Sequence, residues 1–137
     1  MLQRTLERKT FNKFLWQHGS VQEDIANSFG ELQAARLLTL NCAHQMDVHG
    51  PRNARQYISS IKVAVPGLCS TVIDRALQVF GGAGVSEDYV IAKALANIRT
   101  LRIADGPDAV HRRSVALLEL RRLYRQLFGT DPPRSRL

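Results

Sequence analysis

The chain has 137 residues, 45% of them hydrophobic and 23% charged, which suits one ordinary domain with a single sizeable core and excludes a disordered polypeptide. Its formal net charge is +7, and +5 of this lies between Arg112 and Leu137, where seven arginines face only Glu119 and Asp131. Such an end suits a phosphate, an acidic partner or a solvated helix face, and the lack of any base-reading motif argues against nucleic acid.

No apolar run approaches the roughly 20 residues of a membrane span, and Met1-Leu2-Gln3-Arg4 starts no secretory signal, so a soluble protein without a transmembrane segment is expected. Leu2, Leu6, Phe14 and Leu15 recur near helical spacing and predict a first helix over residues 1–17. A chain helical from its first residues, with no cap, reads as the continuation of something upstream. Ser20 with Glu23 forms a candidate capping box for a long helix, whose inner face is marked by Ile25, Phe29, Leu32, Ala35, Thr39, Ala43 and Met46. That helix stops at His49-Gly50, and Pro51 opens the next.

The segment 51–80 carries Tyr57, Ile61, Val65, Leu68, Val72, Ala76 and Val79 on one side. Pro66-Gly67 predicts a kink and not an end, because the period resumes in phase beyond it. A shorter helix over 90–102 and a last one over 107–128 follow, then an extended tail containing Pro132-Pro133. Nothing alternates with period two, so the expected fold is all-α: an up-down four-helix bundle over residues 1–128 and a flexible tail over 129–137. Cys42 and Cys69, isolated in apolar helical segments, read as buried thiols. The four histidines form no metal-ligand pattern.

Three motifs carry candidate chemistry. Arg8-Lys9-Thr10-Phe11 on the first helix offers a guanidinium and a hydroxyl, which suits a pyrophosphate, although exposed basic residues on helices are commonplace. Gly81-Gly82-Ala83-Gly84 fails the dinucleotide fingerprint, since GxGxxG read from Gly82 lands on Glu87 after a helix and not a strand. It reads as a close-packed helix C-cap or a ligand corner. Asp105-Gly106-Pro107-Asp108 opens the last helix. With Pro107 at the first helical position, Gly106 is the cap and Asp105 stands one place outside, free to project. The pattern alone leaves cap and functional acid equally open.

In order and spacing, Arg8-Lys9-Thr10-Phe11-Asn12-Lys13, Gln78-Val79-Phe80-Gly81-Gly82-Ala83-Gly84 and Asp105-Gly106-Pro107-Asp108 resemble the C-terminal domain of the acyl-CoA dehydrogenases, from about Leu2 to Leu120. Asp-Gly-Pro-Asp resembles the branch often fused to an upstream kinase-like domain. The resemblance implies a bundle within an FAD-dependent oxidoreductase of fatty-acid β-oxidation that forms dimers or tetramers. Asp105 stands where the family places the base that takes the α-proton of an acyl-CoA thioester, and its N–H would bond the thioester carbonyl. Arg8, Thr10 and Phe11 match positions that hold the FAD pyrophosphate of a neighbouring subunit. Gln78, Gly81 and Gly82 match the loop over that neighbour's adenosine, and Gly106 and Pro107 match the segment touching the subunit's own FAD.

The departures have consequences. Asp105 is one methylene shorter than the usual Glu, Asn12 replaces the usual Gly, Gly19 stands where some members place a Gln, and Pro107 lacks the hydroxyl and N–H of Thr. The family's N-terminal and middle domains have no counterpart in these residues, so the isolated chain is expected not to turn over acyl-CoA. A non-catalytic helical oligomerisation fragment is the alternative. The resemblance leaves the electron acceptor open between an electron-transfer flavoprotein and oxygen. Ser135-Arg136-Leu137 resembles a peroxisomal address, with the mitochondrion as the competing location and the cytoplasm for a bacterial chain.

Overall fold

The computed structural model describes residues 1–133. Helix α1 (Leu2–Glu7) leads into strands β1 (Lys9–Thr10) and β2 (Lys13–Phe14), followed by α2 (Gly19–Asn53), α3 (Arg55–Phe80), α4 (Ile91–Thr100) and α5 (Asp108–Phe128). Two 3₁₀ turns, Leu15–Gln17 and Gly81–Val85, complete the described elements. The all-α architecture expected from the sequence is therefore present.

The expected helix over 1–17 is not. It ends at Glu7, Arg8 turns extended, and Lys9 pairs with Phe14 and Thr10 with Lys13 in a small antiparallel hairpin. Phe11 (φ 49°) and Asn12 (φ 61°) form the two-residue turn. Left-handed residues at both central positions give the turn whose twist matches its strands. The apolar residues up to Leu6 and those from Phe14 onward mimic one helical face, but a β-branched Thr10 and this turn lie between them.

Helix α3 is the centre. It runs antiparallel to α2, because the tight corner at Gly50–Ala54 joins them while Arg75 reaches back to Glu31 and Asp24 at the far end. Ser59 Oγ lies 3.3 Å from Ser114 Oγ and Gln56 Nε2 donates to Glu119 at 2.8 Å, which sets α5 antiparallel to α3. Lys62 Nζ donates to the Leu101 carbonyl at 2.6 Å, and the Phe80 and Tyr89 rings meet edge to face at 4.8 Å, which sets α4 antiparallel as well. Helices α4 and α5 thus follow one another along α3. The α2–α3 corner falls where Gly50-Pro51 predicted it. Gly50 (φ 76°, ψ 157°) breaks the helix there, and buried Ala54 separates the residues after it from α3. Pro66 is buried inside a continuous α3, and Ser70 Oγ donates to its carbonyl at 2.7 Å.

Three local expectations are corrected. The Ser20–Glu23 box does not form, since α2 already begins at Gly19 behind an extended His18. The buried ridge of α2 is Ser28, Ala35 and Cys42, seven residues apart, while Phe29 and Leu32 face outward. Small residues on the ridge let the α2 and α3 backbones approach, whereas a periodicity reading favours the bulky ones. Third, the stretch Arg55–Val85 is long and apolar enough to cross a membrane by length and composition. It comprises α3, which lies against α2, α4 and α5, and the 3₁₀ turn after it, and Arg75 within it is paired. Cys42 is buried and Cys69 half-buried, and desolvation raises both thiol pKa values.

Candidate functional site

Two corners hold the residues singled out from the sequence. At the end of the bundle, the hairpin places Arg8, Thr10 and Phe11. Arg8 is an exposed residue of extended backbone, not of a helix as expected, and its carbonyl accepts from Leu15 N at 2.9 Å. Thr10 Oγ1 lies 3.3 Å from His18 Nε2. Phe11 is 92% exposed although its left-handed backbone is strained. The same end receives the C-terminus of α3, because the Arg4 guanidinium of α1 sits 5.6 Å from the centre of the Phe80 ring.

There α3 terminates as Gly81 (φ 61°) donates its N–H to the carbonyls of Gln78 and Leu77. Gln78, Gly81 and Gly82 are exposed, and a Cβ at either glycine would meet nothing within 4 Å. Gly84 differs: it is buried, and a Cβ there would lie 2.8 Å from the Leu77 carbonyl oxygen. The corner therefore combines both readings of the sequence. Gly84 is the packing glycine, and Gly81-Gly82 is bare backbone open to a ligand. An exposed guanidinium and a hydroxyl on the hairpin, with this bare backbone at the same end of the bundle, are donor types that suit an anionic, pyrophosphate-bearing group.

The second corner is the turn over residues 101–107. Asp105 adopts φ 54° and Gly106 φ 103°. Asp tolerates the left-handed region better than most side chains, so this backbone suits Asp. Helix α5 starts one residue later than expected: Pro107 is its cap and Asp108 its first residue, so Gly106 is not the cap and Asp105 stands two places outside. Asp105 is exposed and its carboxylate accepts no hydrogen bond among the described residues, so it does not cap its own helix. A cleft of about 480 Å³ between α3 and α5 is lined by His111 and not by Asp105.

What fixes the turn was not legible in the sequence. Arg102 Nε and Nη2 both donate to Asp108 Oδ2, at 2.9 and 2.6 Å, and strap the start of the turn to its end. The hydrogen bond from Arg102 lowers the Asp108 pKa most, with the charges of Arg102, Arg112 and Arg99 adding to it against desolvation. Asp108 Oδ1 is buried without a partner among the described residues. His111, one turn into α5, places Nε2 3.1 Å from the Asp105 carbonyl oxygen.

The structure brings Arg8, Thr10 and Phe11 to the end where Gln78, Gly81 and Gly82 lie, and sets Asp105, Gly106 and Pro107 apart from them. The second turn is anchored to α3 near Lys62, sixteen residues before Gln78, which is about 24 Å along a helix at 1.5 Å per residue. The two groups serve one compact ligand poorly and an extended or shared one well.

The profile of the acyl-CoA dehydrogenase C-terminal domain matches residues 1–117. Probable acyl-CoA dehydrogenase IBR3 of Arabidopsis thaliana is 50% identical over 122 residues, which is 89% of this chain and 15% of that protein. Acyl-CoA dehydrogenase family member 11 of Rattus norvegicus is 48% identical over 127 residues, covering 93% and 16%. A solved structure from Mycobacterium abscessus, described as an acyl-CoA dehydrogenase, superposes with a TM-score of 0.86 at 43% identity, covering 89% of this chain and 30% of that one. The chain spans less than a third of the length of each.

Proposed function

The chain belongs to the acyl-CoA dehydrogenase family, and from that premise we propose that it is the base-bearing domain of an FAD-dependent enzyme that dehydrogenates an acyl-CoA thioester between the α and β carbons. The observation that carries the reading is Asp105: a carboxylate displayed on a left-handed turn, tied down on either side, and not consumed by capping. Asp105 takes the α-proton, while its main-chain N–H bonds the thioester carbonyl as enolate charge develops. FAD, when bound, accepts the β-hydrogen as hydride. Gly106 and Pro107 touch the FAD of this subunit. Arg8 and Thr10 hold the pyrophosphate of a neighbour's FAD, Phe11 packs beside it, and Gln78, Gly81 and Gly82 close over its adenosine. The distance between the two corners supports such sharing, and with it a homodimer or homotetramer. Electrons leave to an electron-transfer flavoprotein.

The test uses a chimera in which this chain replaces the corresponding segment of the Mycobacterium abscessus protein. The chimera should bind FAD and bleach it on adding acyl-CoA. Asp105→Asn should keep the flavin and slow bleaching on the order of 10²- to 10⁴-fold. Bleaching at the unmodified rate removes Asp105 from the role of base.

A second reading, a non-catalytic oligomerisation fragment, draws on the outer side of α2, where Phe29, Leu32, Leu37 and Leu40 are each about half exposed or more. The purified chain separates the two: a stable oligomer that takes up no flavin favours the fragment. For location we propose a peroxisome or a mitochondrion, or the cytoplasm for a bacterial chain. The Ser135-Arg136-Leu137 tripeptide lies outside the described residues.

A further inference from the structure

We infer that His111 is a positioning residue: it fixes the Asp105–Gly106 turn by donating its Nε2–H to the Asp105 carbonyl and by filling the space above Gly106. The inference rests on the reading of Asp105 as the base for its catalytic consequence, but not for its geometry.

Asp105 O is an acceptor only, so a contact of 3.1 Å with His111 Nε2 requires the proton on Nε2, and neutral His111 is the Nε2–H tautomer. The imidazolium carries the same proton, so the bond survives protonation. The ring also covers Gly106 closely. A Cβ built there would lie 3.1 Å from His111 Nε2, and Gly106 has φ 103° besides. Glycine at 106 is thus favoured by the backbone angle, and the imidazole above it would have to shift by a few tenths of an ångström to admit a Cβ. His111 itself sits in the first turn of α5, where its N–H reaches the Pro107 carbonyl at 3.4 Å, so the ring is carried by a regular element.

The turn is consequently held from two directions. Arg102 and Asp108 tie its ends, and His111 grips its apex at the peptide that follows the reactive side chain. An Asp base has a short reach, and misplacing a reacting group by about 1 Å costs on the order of 100-fold. A ring that fixes the Asp105–Gly106 peptide therefore narrows where the Asp105 Cα can present its carboxylate and its N–H. His111 touches neither substrate nor flavin in this role.

Nitrogen-detected NMR of the imidazoles in the purified chain tests the geometry without flavin. We expect His111 as the Nε2–H tautomer, with an Nε2 proton that exchanges slowly. His111→Ala should shift the Gly106 amide and speed exchange across residues 104–106, and His111→Gln, whose amide nitrogen falls near the Nε2 position, should restore most of it. An Nδ1–H tautomer, or no change around Gly106 in His111→Ala, overturns the inference, and the tautomer measurement needs no variant to fold.

In the chimera, His111→Ala should lower kcat about 10- to 100-fold with KM for acyl-CoA nearly unchanged, and His111→Gln should recover it. Equal loss in both variants overturns the positioning role. Should Asp105→Asn retain turnover, the base assignment fails by itself, while the tautomer and exchange results still decide whether His111 locks the turn.

Discussion

The hairpin at the end of the bundle and the turn before α5 use the same costly device, non-glycine residues held at positive φ, and they secure it in opposite ways. Around Asp105, Arg102, Asp108 and His111 all come from this chain, and the turn is complete within it. Around Phe11, the ladder is two residues per strand and the aromatic ring is 92% exposed. One corner is preorganised by its own domain, whereas the other displays strain and apolar surface that nothing among the described residues covers. In an enzyme whose cofactor is shared, that division is physically sensible. On the proposed reading, a base at Asp105 would have to be fixed to tenths of an ångström before substrate arrives, whereas a cofactor clamp at the hairpin could close on assembly.

Cutting the strap should produce the largest contrast. In Arg102→Ala the two hydrogen bonds to Asp108 are lost, and hydrogen exchange at residues 103–106 should rise to that of the hairpin turn. In the chimera, dehydrogenation should fall on the order of 100-fold while bound FAD is retained. Unchanged exchange would mean that His111 alone holds the turn. Acid should reach the same end by another route. The native Asp108 pKa is depressed, so its stabilising contribution is full above the unfolded carboxylate value near ~3.9 and is lost as pH falls through the lower native value. The protection of the turn amides against hydrogen exchange that the Arg102–Asp108 strap provides should therefore be lost only below about pH 4.

The sequence displayed the helices, the corner at Gly50-Pro51 and the break at Gly81-Gly82, because helical periodicity and glycine act locally. The β-hairpin escaped because four paired residues are too few for alternation, and Leu6 and Phe14 bracket it as though one helix continued. The location of Asp105 outside α5 was readable from Gly106-Pro107, to within one residue. Its supports were not. Arg102 meets Asp108 and His111 meets Asp105 only once the turn has folded, and no spacing rule distinguishes that histidine from His44 or His49. Nor did the pattern reveal that Ser28, Ala35 and Cys42 line the α2–α3 contact, since a ridge of small residues has no hydrophobic signature.

A second comparison lies within the glycine corner, and its effect should be intermediate. Gly84→Ala drives a methyl to 2.8 Å from the Leu77 carbonyl oxygen and 3.0 Å from Phe80 Cβ, and overpacking of this kind costs about 1–3 kcal/mol. Gly82→Ala meets nothing within 4 Å and has no positive φ, so it should change stability by no more than about 0.5 kcal/mol. Urea unfolding of the two variants measures the difference directly. The same Gly82→Ala should nonetheless weaken FAD retention in the chimera, since the bare backbone is what a cofactor would approach. Equal FAD affinity would leave Gly81-Gly82 as no more than the end of α3.

The smallest effect should run in the stabilising direction. Phe11 holds φ 49° with its ring in solvent, so nothing within the described residues repays the strain of a bulky residue in the left-handed region. Asn enters that region readily, and beside Asn12 it keeps both central positions of the hairpin turn in residues that tolerate it. Phe11→Asn should therefore raise the stability of the isolated chain by about 1 kcal/mol, read from the urea midpoint at constant m-value. In the assembled chimera the same substitution should reduce FAD occupancy, because the ring proposed to pack beside a neighbour's pyrophosphate is gone. A gain in stability with a loss of flavin identifies Phe11 as kept for a contact outside its own domain. A loss of stability in the isolated chain instead places the ring against this chain, and the contrast between the two corners then rests on the Arg102–Asp108 strap and His111 alone.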